Sequence, residues 1–432
     1  MHTDPPDRRH SPSRRQWLGR GLGLVALGAA PHGLLAAPPR NDDADWIPSQ
    51  AFLDDLPRQM QALGVPGIGI AVVEGGQLAW SRGFGVTHAQ RRTPVTDATL
   101  FEVASLSKPV FAYVVMLLVD RGELALDRPL VEYLRPEYLG TGTPAKAWLD
   151  AITVRDVLRH STGLPDWRKD PANEPLVPAV KPGTRIDYSG EAFVWLQRVV
   201  ETVTGESLDQ TAHRLLFDPA GMRDSSYAWS PALAERSVYG HRAPDAPPEP
   251  DERDGMPPQM LREQWSAAQV VADRSGTPLS AWRYEDAARA LPDVLAIAPP
   301  GLVAWPADIL ANAAASLRCT VQDYARFMAL MVHAHPAAWE LRPATRAAML
   351  TRQIDVPGRW TDKGLGWNLE RTVRGPVFYH SGSNGGIFKS FALGDVARQR
   401  AIVVSTNATN GNVLYRRVVR AATGLDLLAF DV

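Results

Sequence analysis

Val110 to Val119 reads Val-Phe-Ala-Tyr-Val-Val-Met-Leu-Leu-Val, apolar almost all round and without a charge. A surface helix would show a polar face, so this stretch is expected to be a helix buried at the centre of the fold. Ser105-Leu106-Ser107-Lys108 stands at its N-terminal mouth. Positions i and i+3 lie on one helical face, which sets the Lys108 amine beside the Ser105 hydroxyl.

A serine hydroxyl is a poor nucleophile until a neighbour takes its proton, and lysine can do so only as the neutral amine. Burial and the positive end of a helix both disfavour the ammonium form. Pro109 is compatible with this setting, because a proline in the first turn forfeits few helical hydrogen bonds. S-x-x-K alone is a weak pattern, yet only Lys108 among the six lysines follows a serine at that spacing. Ser105 is the candidate nucleophile and Lys108 its base.

The 432 residues carry a net charge of −1, which offers no basic surface to nucleic acid. The chain opens as an export signal: Arg8, Arg9, Arg14 and Arg15 form a basic region, Gly21 to Ala30 is apolar, and small residues and prolines run to Pro38. Ser13-Arg14-Arg15-Gln16-Trp17-Leu18 resembles the twin-arginine export motif; an ordinary signal peptide is the alternative. The apolar run is too short and glycine-rich to span a membrane. Residues 1–37 are therefore read as a leader, and the mature protein is expected to be periplasmic or secreted. Cys319 is the only cysteine, so no intramolecular disulfide forms, and it reads as core packing.

Past the leader, Ala51 to Leu63 has the spacing of an amphipathic helix, and Ile68–Val73 and Gln77–Phe84 around Gly75-Gly76 form a β-hairpin. From Leu130 to about Leu215 the pattern is helical. Residues 229–306 read as an insertion, proline-rich over Ala243 to Asp251 and punctuated by Trp265, Trp282 and Trp305; it is either a lid over a cleft or a surface excursion. A helix follows from Thr320 to Val332. Strands are expected over Gly364–Glu370, Val377–His380, Phe388–Leu393 and Ala401–Asn407, with a last helix over Val413–Ala422. Strands at both ends with helices between imply one sheet built from the two termini, an α+β fold with a helical region inserted. The α/β part covers about 45–130 and 310–432, the helical part about 131–310.

Two further groups carry chemistry. Tyr188, in Asp187-Tyr188-Ser189-Gly190, lies at a loop-to-helix junction from which a phenol can shuttle a proton beside a cation. Tyr379-His380-Ser381-Gly382-Ser383 lies between two strand patterns; Gly382 lets backbones approach closely, and the Ser383 amide is placed as an oxyanion donor. His333-Ala-His335 has no further ligand cluster nearby, so no metal is expected. His160 reads as an organiser of its loop, and the absence of G-x-S-x-G leaves an α/β-hydrolase reading without its elbow.

In their order, Ser105/Lys108, Tyr188 and His380-Ser381-Gly382 resemble the S-x-x-K, Y-x-N and K-[TS]-G or H-x-G elements of class C β-lactamases, D,D-peptidases and related esterases. Val65-Pro-Gly-Ile-Gly-Ile70, Leu158-Arg-His-Ser-Thr-Gly-Leu-Pro165, Pro219-Ala-Gly-Met222 and Gly364-Leu-Gly-Trp367 match as well. The resemblance implies a β-lactamase/transpeptidase-like fold: a five-stranded antiparallel sheet flanked by helices, an all-helical region beside it, and a cleft between them. It also implies an acyl-enzyme on Ser105, proton exchange by Lys108 and Tyr188, an oxyanion hole of the Ser105 and Ser383 amides, substrate contacts at Ser381, Gly382 and Gly190, and no metal or cofactor. Three positions depart from the pattern. Gly190 replaces an asparagine, His380 replaces a lysine and so offers a substrate carboxylate a weaker cationic contact that varies with pH, and Ala104 stands where the lactamase signature has glycine. The departures favour an esterase or amidase acting on small esters, amides or peptides. A D,D-carboxypeptidase, D-aminopeptidase or β-lactamase is the second reading, and a penicillin-binding sensor without turnover is the reading from another class.

Overall fold

A computed structural model describes residues 45–242, 258–299, 310–355 and 361–430. The expected leader, the proline-rich stretch at 243–251 and Trp305 lie outside them. Helix α1 (Gln50–Leu63) begins where Ser49 Oγ accepts from Phe52 N and ends at Gly64, whose φ of 62° suits a left-handed cap. Strands β1 (Gly67–Glu74) and β2 (Gln77–Gly85) follow, joined through Gly75 and Gly76, both at positive φ as this tight hairpin turn requires.

β1 is apolar and buried from Gly67 to Val73 because both of its faces are covered. Ile68, Ile70 and Val72 pack with Leu53 and Leu56 of α1 and with Leu414 and Val418 of the last helix, α8 (Gly411–Thr423). Ala71 and Val73 face the opposite core, built on α2 (Ser107–Asp120) and α7 (Val321–Val332). Every residue of α2 from Ser107 to Leu118 is buried, which is the burial its sequence demands.

The remaining strands are the short pair β3 (Phe101–Glu102) and β4 (Arg318–Cys319), then β5 (Asp362–Lys363), β6 (Asn368–Thr372), β7 (Gly375–Asn384), β8 (Phe388–Asp395) and β9 (Arg400–Thr406). One antiparallel sheet runs in the order β2-β1-β9-β8-β7-β6-β5, so the two ends of the chain meet where β1 pairs with β9. Two features correct the expectations. The sheet has seven strands instead of five, because the two-residue β5 and the polar β6 extend its edge and Gly364–Trp367 forms the turn between them. The Ser381–Asn384 segment is strand where a connecting loop was expected, since cross-strand pairing with Phe388–Phe391 overrides the weak strand preference of serine and glycine.

The helical region contains α3 (Val154–Leu158), opened by a Thr153/Asp156 capping box, and α4 (Gly190–Thr204), capped by Ser189. In the insertion, α5 (Pro258–Ser275) and α6 (Tyr284–Ile297) enclose a small core around the buried Trp282. Tyr284 N donates to Glu201 Oε2 at 2.8 Å, Arg198 pairs with Glu285, and Ser207 Oγ donates to Ser280 O at 2.9 Å. Arg198 and Glu201 lie two to three turns along α4 from the Tyr188 junction, roughly 12–16 Å at the helical rise. These bonds fit a packed excursion, and none of them holds the pair over Ser105.

Phe111 on α2 is fully buried, 6.2 Å from the Phe193 ring between centroids. Phe111→Ala is expected to cost about 3–5 kcal/mol of stability, read from the urea midpoint. A loss below about 1 kcal/mol would remove α2 from the centre of the core.

Candidate active site

Ser105 sits in the single 3-10 turn Ala104–Leu106 that leads into α2. Ala104 holds a φ of 53°, left-handed backbone that a residue with a Cβ adopts at a cost of order 1–2 kcal/mol. The glycine expected here by resemblance is thus replaced at a position where glycine's freedom matters. The turn is nevertheless held. Ser107 Oγ donates to Ala104 O at 2.5 Å, Tyr324 Oη to Leu106 O at 2.9 Å and Tyr227 Oη to Ser107 O at 2.8 Å. Ser105 itself stays half-buried and open to a substrate.

Lys108 lies one turn further and is fully buried. Its Nζ is 3.3 Å from Ser105 Oγ, donates to Ala314 O at 2.9 Å, and stands 4.5 Å from the centre of the Tyr188 ring. Burial brings its pKa down to about 7; the carboxylate of Asp166 opposes that shift and the ammonium of Lys363 adds to it. An amine with this pKa is largely neutral just above neutrality, the form a general base needs.

Tyr188 arrives from the other side, on the loop that Ser189 closes as the N-cap of α4. Its ring stacks on His160 at 4.5 Å and 22°, and Ser189 N donates to His160 Nδ1 at 3.3 Å. His160 is therefore the loop organiser the sequence suggested, itself at a positive φ of 56°. The residue as a whole is 37% exposed, yet burial raises its phenol well above 10, partly offset by the hydrogen bond from Ser105. Tyr188 is therefore a protonated donor at neutral pH. Serine, lysine and tyrosine form one connected group from two distant parts of the chain.

The third group comes from β7. β6 pairs with β7 as far as Tyr379, so among the described residues the segment from His380 onward has an open edge on that side. Gly382 runs against the Ser105 turn: a Cβ on it would collide with the Val103 carbonyl oxygen and lie 3.2 Å from Ser105 N. His380 and Gly382 are buried, while Ser381 and Ser383 alternate to the exposed side, where a substrate can meet them. His380 Nδ1 donates to Ser381 O at 2.7 Å, and burial, followed by the charges of Lys363 and Lys108, pulls its pKa down to about 3. This corrects the expectation of a cation that varies with pH: at any ordinary pH His380 is a neutral imidazole.

Sequence reasoning missed three neighbours. Lys363, buried on β5, donates to Asn368 Oδ1 and acts by charge on Lys108, His160 and His380. Its only advance signal was its place immediately before Gly364-Leu-Gly-Trp367; Gly366 N then donates to Leu158 O at 2.7 Å, tying that turn to α3. Asp166 accepts from Gly190 N at 2.9 Å through Oδ1. Trp167 stands in the space beside Gly190 that a side chain would occupy. Among the described residues no group of three potential metal ligands occurs, and His333 instead pairs with Glu340 at 2.6 Å.

Because Lys108 must be neutral to accept a proton, hydrolytic kcat/KM is expected to rise with pH through about 7. Lys363→Met removes a cation that disfavours protonation of Lys108, so the ascending limb should move to higher pH. An unmoved limb, or one displaced to lower pH, contradicts the role given to Lys363.

Comparison with known proteins agrees with this geometry. Residues 53–424 match the sequence model of the Beta-lactamase family. Esterase EstB of Burkholderia gladioli is 28% identical over 260 residues, 53% of this chain and 62% of that protein. The D-aminopeptidase of Cereibacter sphaeroides is 29% identical over 209 residues, 45% of this chain and 40% of it. The aligned part spans less than two thirds of either relative. A class C β-lactamase structure superposes with a TM-score of 0.62 at 19% identity, over 87% of this chain and 95% of that one, a likeness of fold. The match runs from Leu53 in α1 to Gly424 just past α8 and takes in the whole sheet and the Ser105 turn: the chain belongs to the Beta-lactamase family.

Proposed function

We propose that the protein is a serine hydrolase that cleaves small esters or amides through an acyl-enzyme on Ser105. The observation that carries this reading is a buried amine, Lys108, held 3.3 Å from the Ser105 hydroxyl with its pKa at about 7. In the first half-reaction Lys108 takes the Ser105 proton while Oγ attacks the substrate carbonyl carbon. The oxyanion that forms is met by the Ser105 and Ser383 amides, each such donor being worth about 3 kcal/mol of barrier. The proton passes through Lys108 and the Tyr188 hydroxyl to the departing oxygen or nitrogen, and the carbon-heteroatom bond breaks. Water then attacks the acyl-enzyme, giving up its proton along the same route to regenerate the Ser105 hydroxyl. No cofactor takes part in these steps.

Substrate class follows from what the site lacks. A site without a polar partner cannot reward a substrate for offering one. Gly190 contributes no side-chain amide for an acylamino group, and neutral His380 contributes no cation for a carboxylate. We therefore place simple esters ahead of cephalosporins and D-Ala-D-Ala peptides. The EstB relative supports an esterase, and the D-aminopeptidase relative keeps an amide substrate as the second choice. The twin-arginine-like leader supports action outside the cytoplasm.

A fluorophosphonate should label Ser105, as read by peptide mass spectrometry, and Ser105→Ala should lose hydrolysis of p-nitrophenyl acetate by at least about a thousandfold. Activity undiminished in that variant rules the acyl-enzyme out. A lead of tenfold or more in kcat/KM for nitrocefin or a D,D-peptide would replace the esterase by a β-lactamase or peptidase. For export, Arg14→Lys with Arg15→Lys should retain the precursor in the cytoplasm; continued secretion would leave an ordinary signal peptide.

A further inference from the structure

The family pattern places a side-chain amide at position 190, and this chain has glycine there, which by itself leaves a hole. The structure fills it with an indole: a Cβ built on Gly190 would collide with the Trp167 ring, nearest to Cζ2, 2.5 Å from Cη2 and 2.6 Å from Cε2. Trp167 is also among the exposed large apolar residues, at 45%, as is Tyr188 at 37%. Two accessible aromatic rings thus flank the first turn of α4, and one of them reaches Ser105.

The indole is held by its neighbours on both sides. Asp166 O accepts from Gly190 N at 3.0 Å and from Glu191 N at 2.9 Å, and Asp166 Oδ1 accepts from Gly190 N at 2.9 Å. On the other side, buried Arg168 donates Nε to Glu191 Oε1 at 2.9 Å and Nη2 to Glu191 Oε2 at 3.1 Å, and its backbone N donates to Glu191 Oε1 at 3.0 Å. A buried two-pronged ion pair is rigid in direction. The residues before and after Trp167 are therefore bolted to the helix turn that delivers Tyr188, and the indole between them stays exposed. A ring fixed in this way loses little freedom when a flat group stacks on it, which is the economy of a pre-organised binding wall.

We infer that Trp167, standing in the space vacated at Gly190, is the acyl-pocket wall of this enzyme and selects substrates whose acyl group carries an aromatic ring. The inference rests on the acyl-enzyme reading and narrows it: the position that would hydrogen-bond an acylamino group is rebuilt as an apolar stacking surface. It also gives Gly190 a positive role. Glycine is the only residue that leaves room for the ring, so the two positions act as one unit.

The test is the ratio of kcat/KM for p-nitrophenyl phenylacetate to that for p-nitrophenyl acetate. The wild type should favour the phenylacetate by tenfold or more. Trp167→Ala should lower the ratio at least tenfold and Trp167→Phe should restore most of it. Gly190→Ala should lower the ratio as well by displacing the ring, and the double variant Trp167→Ala/Gly190→Ala should be no lower than either single one, the non-additivity expected of groups sharing one space. A ratio within twofold of wild type in Trp167→Ala, with acetate hydrolysis still abolished by Ser105→Ala, overturns the wall and leaves the acyl-enzyme standing. Hydrolysis that survives Ser105→Ala overturns the acyl-enzyme and the wall with it.

Discussion

The proposed chemistry depends on keeping one lysine dry. An exposed Lys108 would hold its proton near pH 10 and be no base at neutrality; buried at the mouth of α2, it has a pKa of about 7. That burial needs a helix with no polar face, a sheet on one side of it and a helical region on the other. The central apolar run and the catalytic amine are therefore one requirement seen twice.

Holding the lysine dry also constrains its neighbours. His160 and His380 are buried within reach of the charges on Lys108 and Lys363, and both are driven to the neutral form, His380 as far as about 3. Tyr188 is kept protonated by the same loss of water. The site is thus poised with one group able to change its charge near neutrality, surrounded by groups that do not. Asp166 is the counterweight: its carboxylate favours the charged form of Lys108 and the protonated form of Tyr188.

Precision is obtained from backbone placement more than from side-chain contacts. The turn carrying Ser105 includes a left-handed Ala104, and the buried phenols of Tyr227 and Tyr324 secure the carbonyls just after it. Gly382 lets β7 lie directly against that turn, the close approach that the proposed oxyanion hole of the Ser105 and Ser383 amides relies on. Gly190 plays the matching part across the cleft. Its missing side chain makes room for Trp167, and the buried Arg168–Glu191 pair steadies the neighbouring backbone. Removing one partner of such a pair would strand the other charge, so the loop has little freedom to drift.

Local pattern was enough to establish several features. The all-apolar run from Val110 to Val119 required a buried helix, the Gly75-Gly76 hairpin required its turn, and the i, i+3 spacing of Ser105 and Lys108 required them to meet, because each depends on residues close in the chain. Strand boundaries were less legible. Ser381–Asn384 is held as strand by partners on β8, and β5 and β6 exist as edge strands because a neighbour is there to pair with. Least legible were the effects of proximity between distant segments. Lys363, Asp166 and Trp167 carry no motif, and their influence on Lys108, Tyr188 and Gly190 arises only when the segments at 166, 190 and 363 fold against one another. The sequence by itself determined the fold and the meeting of Ser105 with Lys108 on which the proposed mechanism rests. The tertiary structure decided the protonation states and the filling of the space at Gly190, because charge, burial and excluded volume are properties of what stands nearby in space and not of what stands next in the chain.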